Sequence, residues 1–288
     1  MSKIFSRTFR VRWSEINANG HVDTPGFLRY LVETAWDWGA ISGLSIAENE
    51  KLGLVWVIRE TEISFFKPLH PNDVFDFTIW LVKWRRVRGI RCFEVRLTNG
   101  GELIAQGLQQ VVTLDHKSWR PTPLPEPMIE RFTAENPRVI QQQGFPDIPK
   151  QPKPTFKTER RVEWRDLDPL AHVNNAIYAA YAEEAATEAM DSLSWSPSRL
   201  KELGLSIIFR RFHIQYLSPA YWGDLLNIKT YLFKFNHSGG SWYIGIRRPY
   251  DGEEICNCVL VWSAVDATSG DECSLPLELY HRISKNKA

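Results

Sequence analysis

Val162-Glu163-Trp164-Arg165-Asp166-Leu167-Asp168-Pro169-Leu170-Ala171-His172-Val173-Asn174-Asn175-Ala176-Ile177-Tyr178 is the stretch on which the reading of this chain turns. It sets two carboxylates, a histidine and two amides between a short β-like segment, Arg160 to Trp164, and an alanine-rich segment, Ala176 to Leu193. In the latter, Tyr178, Tyr181, Ala182 and Ala185 recur at spacings of three and four, the period of one helix face. The carboxylates therefore belong to a turn facing a helix N-terminus. Unpaired N–H groups and partial positive charge there suit a developing oxyanion. Asp, Asn and Pro are also ordinary turn and N-cap residues. On spacing alone Asn174 and Asn175 read equally as caps or as substrate contacts, and a lone His172 as a structural turn residue.

The same pattern occurs earlier, at a constant offset of 151 residues. Arg10-Val11-Arg12-Trp13 aligns with Arg161-Val162-Glu163-Trp164, His21-Val22 with His172-Val173, Tyr30 with Tyr181 and Glu33 with Glu184. Leu52-Gly53-Leu54, Ile63, Pro68 and Asp73 continue the match to Leu203-Gly204-Leu205, Ile214, Pro219 and Asp224 without a gap. Solenoid periods are about 20–50 residues, so a repeat this long is a duplicated domain. The copies differ where chemistry would be expected: Asp168 has Asn17 as its counterpart.

Each copy reads as one strand, one long helix and four strands. The later strands are Val55–Phe66, Phe75–Trp84, Ile90–Leu97 and Glu102–Leu114, echoed by Ser206–Leu217, Leu225–Phe235, Trp242–Arg247 and Glu254–Val265. Asn99-Gly100-Gly101 and Tyr250-Asp251-Gly252 supply hairpin residues tolerant of positive φ. This is an α+β arrangement, an antiparallel sheet with one helix on its face. The expected division is residues 1–117, a proline-rich linker over 118–156 with a short helix near Met128 to Thr133, and residues 157–288. Prolines such as Pro121, Pro123, Pro125 and Pro127 disfavour sheet in the linker.

Composition narrows the function. A chain of 288 residues with a formal charge of +1 has no basic excess for nucleic acid as a main partner. The four cysteines show neither C-x-x-C spacing nor a pair matched between copies, so no metal site or disulfide framework is expected. No stretch of about 18 apolar residues and no export signal is visible, so a cytoplasmic protein without a membrane partner is expected.

Asp-x-Asp-x-x-x-His-Val-Asn-Asn-x-x-Tyr after a short strand resembles the signature of hotdog-fold thioesterases, the 4-hydroxybenzoyl-CoA and acyl-ACP thioesterase relatives. It recurs, weakened, as Glu15-Ile16-Asn17-Ala18-Asn19-Gly20-His21-Val22-Asp23. The resemblance implies two tandem hotdog domains, each an antiparallel sheet wrapped around a long central helix. It also implies hydrolysis of an acyl-CoA or acyl-ACP thioester without metal or redox cofactor. In such proteins two units pair with active sites at their interface; here one chain supplies both, and two chains pairing would make four units. Carried over by position, Asp168 is the nucleophile or general base, with His172 and Asn174 orienting water or carboxylate. Asn175 and Tyr178 become substrate contacts. An amide at position 17 can neither accept a proton usefully nor form an anhydride, so the first copy reads as impaired. Acyl-ACP thioesterases typically show Asp-x-Asn-x-His, which this chain splits between its copies. Alternatives are a hotdog dehydratase or hydratase and a binder without activity.

The segment Lys83 to Arg91, with Arg85, Arg86 and Arg88, reads as a basic hairpin bend. It is either a solvated turn or a contact for CoA phosphates or an acidic carrier protein. Trp36 and Trp38 read as core or interface anchors, with ligand stacking as the alternative.

Overall fold

A computed structural model describes residues 3–146 and 156–285. The chain divides into two compact units, Met1–Gln143 and Gly144–Ala288. No helix of the described residues is long and apolar enough to cross a membrane.

The first unit runs β1 (Ile4–Arg10), α1 (Thr24–Ile41), α2 (Ile46–Leu52), β2 (Leu54–Phe65), β3 (Val74–Arg85), β4 (Arg88–Leu97), β5 (Leu103–Asp115) and α3 (Glu126–Phe132). Its strands pair antiparallel in the order β1-β3-β4-β5-β2. Side chains alternate across a strand, so each strand turns one row toward α1. Phe27, Leu28 and Leu31 of the helix are buried together with Phe75, Phe77 and Phe93 of the sheet.

The second unit repeats the plan: β6 (Phe156–Arg161), α4 (Asn175–Ser192), α5 (Pro197–Glu202), β7 (Leu205–Tyr216), β8 (Leu225–Phe235), β9 (Gly239–Arg247), β10 (Glu254–Asp266) and α6 (Leu277–Lys285). The strand order is β6-β8-β9-β10-β7, the same order position by position. The helix face toward this sheet is nearly all alanine: Ala179, Ala182, Ala185 and Ala189 are fully buried. Small side chains let α4 lie close to the sheet, whose own aromatics Trp242 and Trp262 supply the volume.

Three details differ from the sequence reading. Trp164, read as the end of the short strand, lies in a 3-10 turn, Trp164–Asp166, and Trp13 occupies the matching turn Trp13–Glu15. The short helices α2 and α5 went unforeseen although each carries a serine cap, Ser45 and Ser196, accepting from the residue three further on. Of the segment expected as a linker, residues 118–143 fall in the first unit. Leu124 and Phe132 are buried there, Trp80 donates to Arg138 O at 2.7 Å, and Ile140 packs on Trp80, Cys92 and Leu108. Apolar residues interleaved with the prolines give that stretch something to bury. Residues 147–155 lie outside the described residues.

Candidate active site

In the second unit the Asp168–His172 turn sits between β6 and the N-terminus of α4, and its backbone closes on itself. Asp168 N–H donates to His172 O at 2.9 Å and Ala171 N–H to Asp168 O at 2.9 Å. Ala171 has φ 61°, a left-handed conformation that costs a non-glycine residue about 1–3 kcal/mol; the first copy has Gly20 there. The Asp168 side chain is about one-fifth exposed. Its Oδ1 accepts the Leu170 N–H at 2.8 Å, and Oδ2 lies 3.4 Å from His172 Nδ1. Burial raises the pKa of this carboxyl, opposed by His172 and by the N–H groups of Leu170 and His172. The result is a desolvated carboxylate, held by few bonds, beside an imidazole.

Asp166 has a different part. Its Oδ2 accepts the Glu163 N–H at 2.8 Å and the Tyr181 hydroxyl at 2.7 Å, which pins the 3-10 turn to α4. Glu15 and Tyr30 make the same pair in the first copy.

The two asparagines divide the roles that spacing left open. Asn174 is the N-cap: its Oδ1 accepts the Ala176 N–H at 2.9 Å and its carbonyl the Ile177 N–H at 2.9 Å. The amides just inside the helix, which the sequence reading offered to an oxyanion, are thus already taken. Asn175 is the exception. Its buried Nδ2 has no partner, and among the described residues its own N–H has none either, leaving two donors at the first helical position. Tyr178 is buried, and its hydroxyl accepts the Ala220 N–H at 3.0 Å, tying the β7–β8 connection to α4. Glu184 is on the exposed face of α4. Trp164 and Trp222, both largely exposed, meet edge to face at 6.1 Å.

The first copy keeps this geometry and loses its charge. Asn17 N–H donates to His21 O at 3.0 Å, and Asn17 Oδ1 accepts the Asn19 N–H at 2.9 Å. His21 Nε2 is buried without a partner, and burial holds the pKa of this ring below the ordinary value.

Arg85, Arg86 and Arg88 lie exposed at the β3–β4 hairpin, with Arg86 at φ 55°. Arg91, grouped with them by sequence, turns the other way. On β4 it shares a face with Phe93 and Val95, and it lines a cavity of about 110 Å³ toward the C-terminal end of α1. Trp36 lines the same cavity, while Trp38 is buried edge-on to Phe132. Strand alternation was the available signal for Arg91, masked by the run of neighbouring arginines.

The family model of the Thioesterase-like superfamily matches residues 11–132 and again 162–283, one match per copy. The chain belongs to this superfamily. Within it, the chain is 24% identical over 193 residues to the chloroplastic palmitoyl-acyl carrier protein thioesterase of Cuphea hookeriana, covering 63% of this chain and 46% of that protein. It is 25% identical over 133 residues to the long-chain acyl-CoA thioesterase FadM of Escherichia coli, covering 45% of this chain and 98% of that protein. The chain spans about half the length of the plant relatives it matches. Among solved structures, the 12:0-ACP thioesterase from Umbellularia californica aligns with a TM-score of 0.75 at 18% identity, covering 91% and 94% of the two chains. An acyl-ACP thioesterase from Bacteroides thetaiotaomicron aligns at 0.73 and 18%, covering 91% and 100%. These likenesses establish the tandem hotdog fold.

Proposed function

We propose that this protein hydrolyses an acyl-CoA or acyl-ACP thioester to free acid and thiol, and that its working turn is the one in the second unit. The observation that carries the reading is the pairing of a desolvated Asp168 carboxylate, 3.4 Å from His172, with the unpartnered donors of Asn175 at the start of α4. Asp168 takes a proton from the attacking water or attacks the thioester carbon itself. His172 holds the carboxylate's orientation, and Asn175 donates to the carbonyl oxygen as charge develops on it. Asn174 keeps the first turn of α4 in place rather than entering the chemistry. The exposed Arg85, Arg86 and Arg88 meet the phosphates of CoA or the acidic surface of a carrier protein. The superfamily relatives named above support the substrate class, and unpaired cysteines support a cytoplasmic setting.

The test is thiol release from a panel of acyl-CoA and acyl-ACP thioesters of graded chain length. Release with at least one of them supports hydrolysis. Tight binding without release across the panel would leave a binder, and double-bond hydration of an enoyl thioester would make the protein a hydratase.

A further inference from the structure

The cavity of the first unit has an apolar wall with one charge in it. Trp36, Trp56, Trp84, Leu81 and Phe132 are among the residues that line it, and Arg91 is the only charged one among the described residues. Its polar neighbour Asn49 is fully engaged, donating to Leu44 O and Ser45 O and accepting from Trp56 Nε1.

Arg91 is held by a row that crosses the sheet. In register, Leu81 faces Arg91, Arg91 faces Gln109, and Gln109 faces Thr61. Gln109 Oε1 accepts Arg91 Nε at 2.8 Å and also Nη2, while Gln109 Nε2 donates to Thr61 Oγ1 at 2.9 Å. Gln109 and Thr61 are fully buried. This network fixes the guanidinium but offers it only one neutral oxygen. Nη1 has no partner and no carboxylate pairs with Arg91 among the described residues. Burial lowers its pKa to about 10, which leaves it a cation at neutral pH. A half-buried cation without a counter-charge is unfavourable, and an anion that reaches it would relieve that. A second donor in the same wall is unmet as well: Trp38 Nε1 is buried without a partner.

The duplication supplies an internal control. The corresponding row in the second unit is Leu232, Trp242, Leu260 and Phe212, in the same register and fully buried. The architecture therefore does not require an arginine at this point; the second unit fills it with an indole. In the first unit the row has become polar beside open, apolar space.

We propose that the first unit binds a carboxylate on an apolar body, an aliphatic or aromatic acid, with its charge against Arg91 and its hydrocarbon among the tryptophans. Arginine suits this ligand because its planar donors match the two carboxylate oxygens. The carboxylate is that of a free acid.

The site goes beyond the hydrolase reading and is tested without turnover. Decanoate and decan-1-ol are titrated into the full-length protein at pH 8, following tryptophan fluorescence. The expected result is saturable binding with decanoate at least about tenfold tighter than the alcohol. In Arg91→Met that preference disappears while alcohol binding persists, and Arg91→Lys keeps part of it. Equal affinity for acid and alcohol in the wild type, a comparison that needs no variant, would overturn the proposal. So would an Arg91→Met protein that binds decanoate as the wild type does.

Discussion

At the scale of the residue, the site depends on which polar groups the fold leaves unengaged. Asp166 and Asp168 are two positions apart and chemically identical, yet Asp166 is tied to Tyr181 and the Glu163 N–H while Asp168 keeps an oxygen beside His172. Asn174 and Asn175 divide in the same way. Asn174→Ala should cost about 1 kcal/mol of stability, the usual loss for an N-cap, seen as a lower midpoint of thermal unfolding. Asn175→Ala should leave that midpoint near the wild type and lower kcat by roughly 10²-fold, the typical effect of removing one oxyanion donor. The reverse pattern would exchange their roles. Asp168 also sets a pH dependence. As base or nucleophile its carboxyl would work ionised, and burial raises its pKa, so the ionised fraction falls as pH drops through a value above the ordinary 3.8. The acid limb of kcat/KM should therefore have its midpoint above 3.8; a midpoint at or below it would mean that His172 and the N–H groups of Leu170 and His172 outweigh burial.

At the scale of the element, the β3–β4 hairpin and the helix N-termini carry the argument. The hairpin holds Arg85, Arg86 and Arg88 outward on a tight turn, while the first inward side chain on β4, after the buried Gly89, is that of Arg91. If the hairpin binds the carrier, charge reversal of Arg85 and Arg86 together should raise KM by roughly tenfold with kcat unchanged, because such a contact would stabilise ground and transition states alike. Unchanged steady-state kinetics would remove the hairpin from substrate binding. Much of this level was legible beforehand. The long helices follow from spacing in Ala176 to Leu193, and the strands from β-branched and aromatic runs. What was not legible was partnering: no spacing rule says that Ala176 N–H goes to Asn174 while Asn175 is left open, since that depends on the Asp166 and Ala220 carbonyls holding the turn. The short helices α2 and α5 are too brief for periodicity to show, although Ser45 with Glu48 three residues later was a usable signal.

At the scale of the whole molecule, duplication has let the two copies diverge on one scaffold. Both keep the strand order, the 3-10 turn and its tyrosine–carboxylate bond. The second copy keeps Asp168 and packs its sheet face with Trp242 and Leu260; the first has Asn17 and, in place of those apolar residues, Arg91 and Gln109 beside a cavity. A constant offset made the duplication and the Asn17 substitution readable from sequence. The cavity was not, because it depends on how Leu124, Ile129 and Phe132 of the proline-rich segment close over α1.

The account rests on the asymmetry between those two turns, and thiol release from an acyl-CoA substrate by Asp168→Asn and Asn17→Ala proteins, assayed side by side with the wild type, tests it most directly. The expected result is a kcat lower by about 10²–10⁴-fold for Asp168→Asn with its thermal unfolding midpoint retained, and near-wild-type turnover for Asn17→Ala. Equal losses in the two variants, or undiminished release by Asp168→Asn, would contradict it.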